Sequence, residues 1–166
     1  MANRLPIQST GIGSVALKNG GATGSQTFVR GAIVVAASGL LSEGGANPTI
    51  IVGIANHGMT SATSGQLVQY IPALPGQEFI ASVDNTAAGT GLIEAADKWT
   101  RYGITQDSDG VWYVDKDKTI DAETRVTITG FVDAVGTVLG RVKFVFHQHG
   151  DLGDTPLAIT VYAGSV

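Results

Sequence analysis

The residues best suited to chemistry in this 166-residue chain lie near its C-terminal end, His147-Gln148-His149. On a strand, positions i and i+2 project to one face, so both imidazoles could grip a single metal ion. Asp151 is near enough in sequence to be a third ligand, and His57 could arrive from elsewhere in the fold. That set would make a small β-barrel metalloenzyme. Against it, the pair opens a Gly-rich loop (Gly150, Gly153), and HxH pairs are common by chance. Exposed loop histidines are the simpler reading, so no bound metal is expected.

Asp107-Ser108-Asp109-Gly110 has the start of a calcium loop. An EF-hand then needs an oxygen ligand at its fifth position and a bidentate Glu at its twelfth. Here those positions hold Val111 and Lys118, so an Asp/Gly turn between Ile104 and Trp112 is expected instead. Six of the fourteen acids fall within Asp107–Glu123, interleaved with Lys116 and Lys118. Paired carboxylates can do acid/base work, but this pattern reads as a solvated face. No Walker or dinucleotide glycine pattern occurs, and no G-x-S-x-G elbow. Trp99, Tyr102, Trp112 and Tyr113 could stack on a sugar or base, but packing a helix against a hairpin suits them better. No catalytic residue and no cofactor are expected.

The elements that must carry these residues read mainly as β. Residues 1–26 lack a sustained period of 2 or 3.6 and read as an arm, with Arg4, Leu5, Pro6 and Ile7 as its anchor on a partner. Residues 27–166 read as one β-rich domain. Phe28–Ala37 and Thr49–Asn56 are strand candidates, with Gly53 marking a bulge or a close backbone approach. Leu67–Ile71 and Glu78–Asp84 follow, with Pro72 and Pro75 excluding a central strand between them. Leu92–Tyr102 places Leu92, Ala95, Ala96, Trp99 and Tyr102 on one helical face, with Gly103 as its stop. Both indoles should then be mostly buried. Arg125–Asp133 and Gly140–Phe146 alternate as a hairpin turned at Gly136. Residues 157–162 could be a last strand.

Composition narrows the function. Only Arg4, Lys18, Arg30 and Glu43 are charged among the first 77 residues, and Gly44–Gln77 holds no charge at all. A free-standing soluble domain carries about a quarter charged residues, against 14% here. The apolar runs are far too short to span a bilayer as helices, and no signal-peptide pattern opens the chain. The net charge of −4 leaves no basic footprint for nucleic acid. Charge depletion of this kind suits a surface that lies against other protein.

Two stretches carry a family resemblance. One is F-V-R-G-A-I-V-V, a turn, then T-I-I-V-G-I-A, within Phe28–Ala55. The other is A-A-D-K-W-T-R-Y-G-I-T-Q-D-S-D-G-V-W-Y-V-D (Ala95–Asp115), followed by R-V-T-I-T-G-F-V-D-A-V-G-T-V-L-G-R-V-K-F-V-F (Arg125–Phe146). Together they resemble the head decoration, or capsid cement, proteins of tailed bacteriophages. The resemblance covers most of residues 28–146 and rests on glycines and aromatics. It implies a small β-barrel or β-tulip-like domain with one short helix. It further implies a virion protein on the outer face of the capsid, with the major capsid protein and further copies of itself as partners, a trimer favoured. Residues 150–166 fall outside the pattern. The rival readings are another virion subunit, such as a tail-tube or head-vertex protein, and the metalloenzyme built on His147 and His149.

Overall fold

The computed structural model describes residues 4–10, 16–48, 50–86 and 88–147. Its centre is a closed β-barrel. The strand β9 (Glu78–Asp84) pairs antiparallel with β13 (Arg141–Phe146) along one edge. Along its other edge it pairs parallel with β11 (Trp112–Asp115), through Val83–Val114 and Asp84–Asp115. The strand β10 (Arg101–Gln106) forms a hairpin with β11 and pairs with β12 (Val126–Phe131), which returns to β13. Five strands thus close on themselves, which removes the exposed sheet edge. Alternate side chains fill the interior, among them Phe79, Val83, Ile104, Val114, Ile128 and Phe144, all buried. Phe79, Phe144 and Phe146 pack as a trio with ring centroids 5.1–5.9 Å apart.

A second sheet packs against the barrel. It runs β2 (Lys18–Gly21), β8 (Leu67–Pro72), β6 (Ile51–Ala55), β4 (Ile33–Ala37), β5 (Leu40–Glu43), all antiparallel. It curls until Ala22, just past β2, bridges Leu41 of β5. A two-stranded ribbon of β3 (Gln26–Phe28) and β7 (Met59–Ala62) flanks it. One continuous apolar core serves both sheets. At the seam, a Cβ on Gly44 would meet both Ile33 and Trp112 at 3.1–3.3 Å. Gln106 donates to Glu43 across the seam at 2.8 Å, and the buried Arg125 guanidinium donates to the Pro48 carbonyl at 2.6 Å.

Several sequence expectations stand in the fold. The protein is mainly β, and a small β-barrel is present. The β12–β13 hairpin forms with Gly136 at φ +89°, carrying one bulge between Ile128 and Gly130. Asp107 makes the expected turn, accepting from the N–H groups of Asp109 and Val111 at 2.9 Å, with Gly110 at φ +82°. Gly53 marks a close approach, since a Cβ there would lie 2.2 Å from the Ile71 carbonyl oxygen.

Others are corrected. The expected helix over Leu92–Tyr102 is a single 3-10 turn at Ala95–Asp97, followed by the strand β10, with Gly103 inside that strand. Trp99 adopts φ +67° and donates its N–H to the Ile128 carbonyl at 2.7 Å, which commits the chain to the barrel wall. The segment within 1–26 does not stand off as an arm. Its strand β1 (Gln8–Ser9) pairs with Ile80 and Phe79 of β9, in line with β11, and β2 edges the second sheet. Ile7 and Ala22 belong to the core. The strand candidate Phe28–Ala37 is split by a turn at Gly31, and Pro72 closes the interior strand β8. The last strand candidate, 157–162, lies outside the described residues.

Candidate functional site

Two of the four anchor residues point inward. The Arg4 side chain is 5% exposed and lies between two carboxylates, Asp84 and Asp107, the latter at 2.6 Å. Its guanidinium sits 4.6 Å from the centroid of the Tyr113 ring. Ile7 is buried, and the backbone beside it abuts Gly31, where a Cβ would come within 2.9 Å. Only Leu5 and Pro6 face solvent. In this conformation Arg4 and Ile7 hold the domain together and are not free to grip a partner.

The acids behave in the same way. Asp84 ends β9 fully buried, and the loop after it wraps round its carboxylate. The N–H groups of Asn85, Gly89, Thr90 and Gly91 donate to it at 2.8–3.1 Å. The wrap needs glycine at 91, because a Cβ there would lie 2.3 Å from Asp84 Cα. Burial alone would raise the Asp84 pKa, but Arg4 and these N–H groups outweigh it and hold the carboxyl below its ordinary 3.8. Burial likewise works against the Arg4 charge, and its two carboxylate partners prevail. Asp115, the parallel-register neighbour of Asp84, is equally buried and accepts from the Thr86 N–H and the Thr105 hydroxyl, each at 3.0 Å. So the acid-rich stretch is only partly a solvated face: Asp107 and Asp115 turn inward, while Asp109, Asp117 and Asp121 face water.

These braces carried a signal in the sequence. Ala81-Ser82-Val83-Asp84 and Trp112-Tyr113-Val114-Asp115 both end in Val-Asp, and the structure sets those ends side by side. The role of Asp97 had no such signal. It accepts from the Tyr102 hydroxyl at 2.7 Å, from the Glu94 N–H at 2.8 Å and from Lys116 at 3.0 Å. An open polar groove of about 650 Å³ runs beside this cluster, lined by Asn85, Thr86, Thr90, Glu94, Lys116 and Asp117 among others.

The candidate metal residues are not assembled. The His147 ring meets the Thr127 hydroxyl at 2.7 Å, and the His147 backbone N–H donates to the Arg125 carbonyl at 2.8 Å. His57 is exposed on the turn after β6, and His149 and Asp151 lie outside the described residues. Among the described residues no three His, Asp or Glu side chains are placed to share a metal ion.

What the surface offers instead is apolar. Trp112 is buried as expected, but Trp99 is 67% exposed, with the Lys98 ammonium 5.5 Å from its ring centroid. A large side chain at positive φ is strained, and here the residue that adopts it presents its indole to solvent. The tip of the β12–β13 hairpin displays Val132, Val135 and Val138, and Val138 bridges the half-exposed Leu92. Trp99 and Leu92 lie on the one connection from β9 to β10, which bonds the hairpin at Ile128, Thr137 and Gly136. Comparison with protein-family models and with characterised proteins gives no match for the sequence.

Proposed function

We propose that this chain is a capsid decoration protein: a non-enzymatic subunit that binds the outer surface of a phage head and bridges its major capsid subunits, itself assembled as a homo-oligomer, with a trimer the favoured form. The observation that carries the reading is the exposure of Trp99 and of the hairpin valines Val132, Val135 and Val138 on the barrel surface, Trp99 at a positive φ. Exposed aromatic and aliphatic anchors of this kind are what protein interfaces bury. The charge-poor stretch Gly44–Gln77 and the resemblance of residues 28–146 to cement proteins support the same reading.

The physics asks for no chemistry. A protein that binds only the assembled shell stabilises it by mass action, by about 2.7 kcal/mol per site at a free concentration of 100 times Kd. An oligomer making several contacts gains avidity as well. Heads stripped of the protein should rupture at lower temperature or milder osmotic shock, and purified protein added back should restore them. The paired variants Trp99→Ala and Val135→Asp should remain folded by circular dichroism yet fail to restore the heads. Equal failure thresholds for stripped and decorated heads, or localisation to the tail or the inside of the shell, would overturn the proposal.

A further inference from the structure

Lys116 follows β11, and its side chain is only 7% exposed. Its Nζ lies 3.0 Å from Asp97 Oδ1, 2.6 Å from Glu94 Oε2 and 2.9 Å from the Leu92 carbonyl. Asp97 is 1% exposed. The Tyr102 hydroxyl donates to its Oδ1 and the Glu94 N–H to its Oδ2. Glu94 differs from both: its side chain is 60% exposed and lines the polar groove. A primary amine and a carboxyl are therefore enclosed against each other, with a second carboxylate connecting them to water.

We propose that Lys116 and Asp97 condense into an intramolecular isopeptide bond. Lys116 gives one ammonium proton to Glu94 Oε2, and the freed nitrogen lone pair bonds to Asp97 Cγ. The Tyr102 hydroxyl and the Glu94 N–H are placed to hold the negative charge that gathers on the carboxyl oxygens. One Cγ–O bond then breaks with its electron pair. That oxygen takes the proton held by Glu94 and a second from the amine, and leaves as water into the groove. An ammonium and a carboxylate become a neutral amide and water, with no other reactant.

Two effects favour the step. The fold holds the reactants in contact, and well-oriented intramolecular reactions reach effective concentrations of roughly 10⁵–10⁸ M. The reactants also pay a desolvation cost as buried ions that the amide does not carry. The product closes the β10–β11 hairpin into a covalent ring between the turn before it and the turn after it.

Intact mass of the purified, folded chain tests this directly. The expected mass is one water below that of the sequence, and a tryptic map should join the peptides holding Asp97 and Lys116, with no cleavage after Lys116. Lys116→Arg keeps the charge but cannot form the amide, so it should show its full sequence mass. Asp97→Asn should lose ammonia in place of water, and Glu94→Gln should slow the reaction. A folded wild-type chain that keeps its full mass after prolonged incubation overturns the proposal. So does a water loss mapped elsewhere, such as a succinimide at Asp109-Gly110.

Discussion

At the scale of single residues, the charged side chains of Arg4, Asp84, Asp97, Asp115 and Arg125 are buried and brace the fold. Arg4 joins β9 to the β10–β11 turn through Asp84 and Asp107. Breaking a buried pair from one side costs about 3–5 kcal/mol, so Arg4→Met should lower the urea midpoint sharply, and an unchanged midpoint would show the contact to be idle. Asp84 also gives stability a pH dependence. Its native pKa is lowered, so its contribution is complete above the ordinary 3.8 and is lost as pH falls through the native value. Asp84→Asn should flatten the acid limb of melting temperature against pH. Glu43 has the opposite sign. Burial raises its pKa above the ordinary 4.5, against the hydrogen bond from Gln106. Its contribution therefore declines as pH rises from 4.5 through the raised value, and Glu43→Gln should abolish that decline. The two tryptophans should separate cleanly: Trp112→Ala costs about 3–5 kcal/mol as a truncated core aromatic, while Trp99→Ala changes stability little and is read in partner binding.

At the scale of elements, close packing of β6 against β8 makes Gly53 a sharp probe. Gly53→Ala brings a Cβ against the Ile71 carbonyl, and overpacking of this kind costs roughly 1–3 kcal/mol; a melting temperature equal to wild type would contradict the register. This glycine, the β12–β13 hairpin and the Asp107 turn were legible in the sequence because each is set by local chemistry. The helical spacing over Leu92–Tyr102 misleads because its face rests on two alanines and Trp99, a pattern that an irregular connection followed by a strand satisfies equally well. The segment within 1–26 hides its strands for a different reason. Strands of two to four residues such as β1 and β2 are held by backbone hydrogen bonds and leave no side-chain period. One of the buried anchors among those residues is an arginine, Arg4, which hydrophobic patterning cannot find. The outward indole at 99 depends on a backbone angle that no spacing reveals.

At the scale of the whole molecule, the barrel and the second sheet share one core and meet at Trp112. Neither has a separate apolar centre, so they should unfold together. Trp112 fluorescence and far-ultraviolet circular dichroism should trace the same denaturant curve. Two resolved transitions would mean that the seam through Glu43, Gln106 and Arg125 is weaker than its hydrogen bonds suggest.

The pairing of Arg4 with Asp107 spans 103 residues, and this sets a schedule during synthesis. A ribosome adds about 5–20 residues per second, so Arg4 waits several seconds before Asp107 is made. Until then β1 can settle on β9, but the parallel neighbour β11 and the ring-closing strands β12 and β13 do not yet exist. The growing chain meanwhile exposes Gly44–Gln77, a stretch without a single charge to keep it in solution. A cell making many copies at once holds many such unfinished chains side by side. Unfinished chains of this kind are prone to aggregate, so slowing expression should raise the soluble yield, and a yield indifferent to expression rate would contradict this.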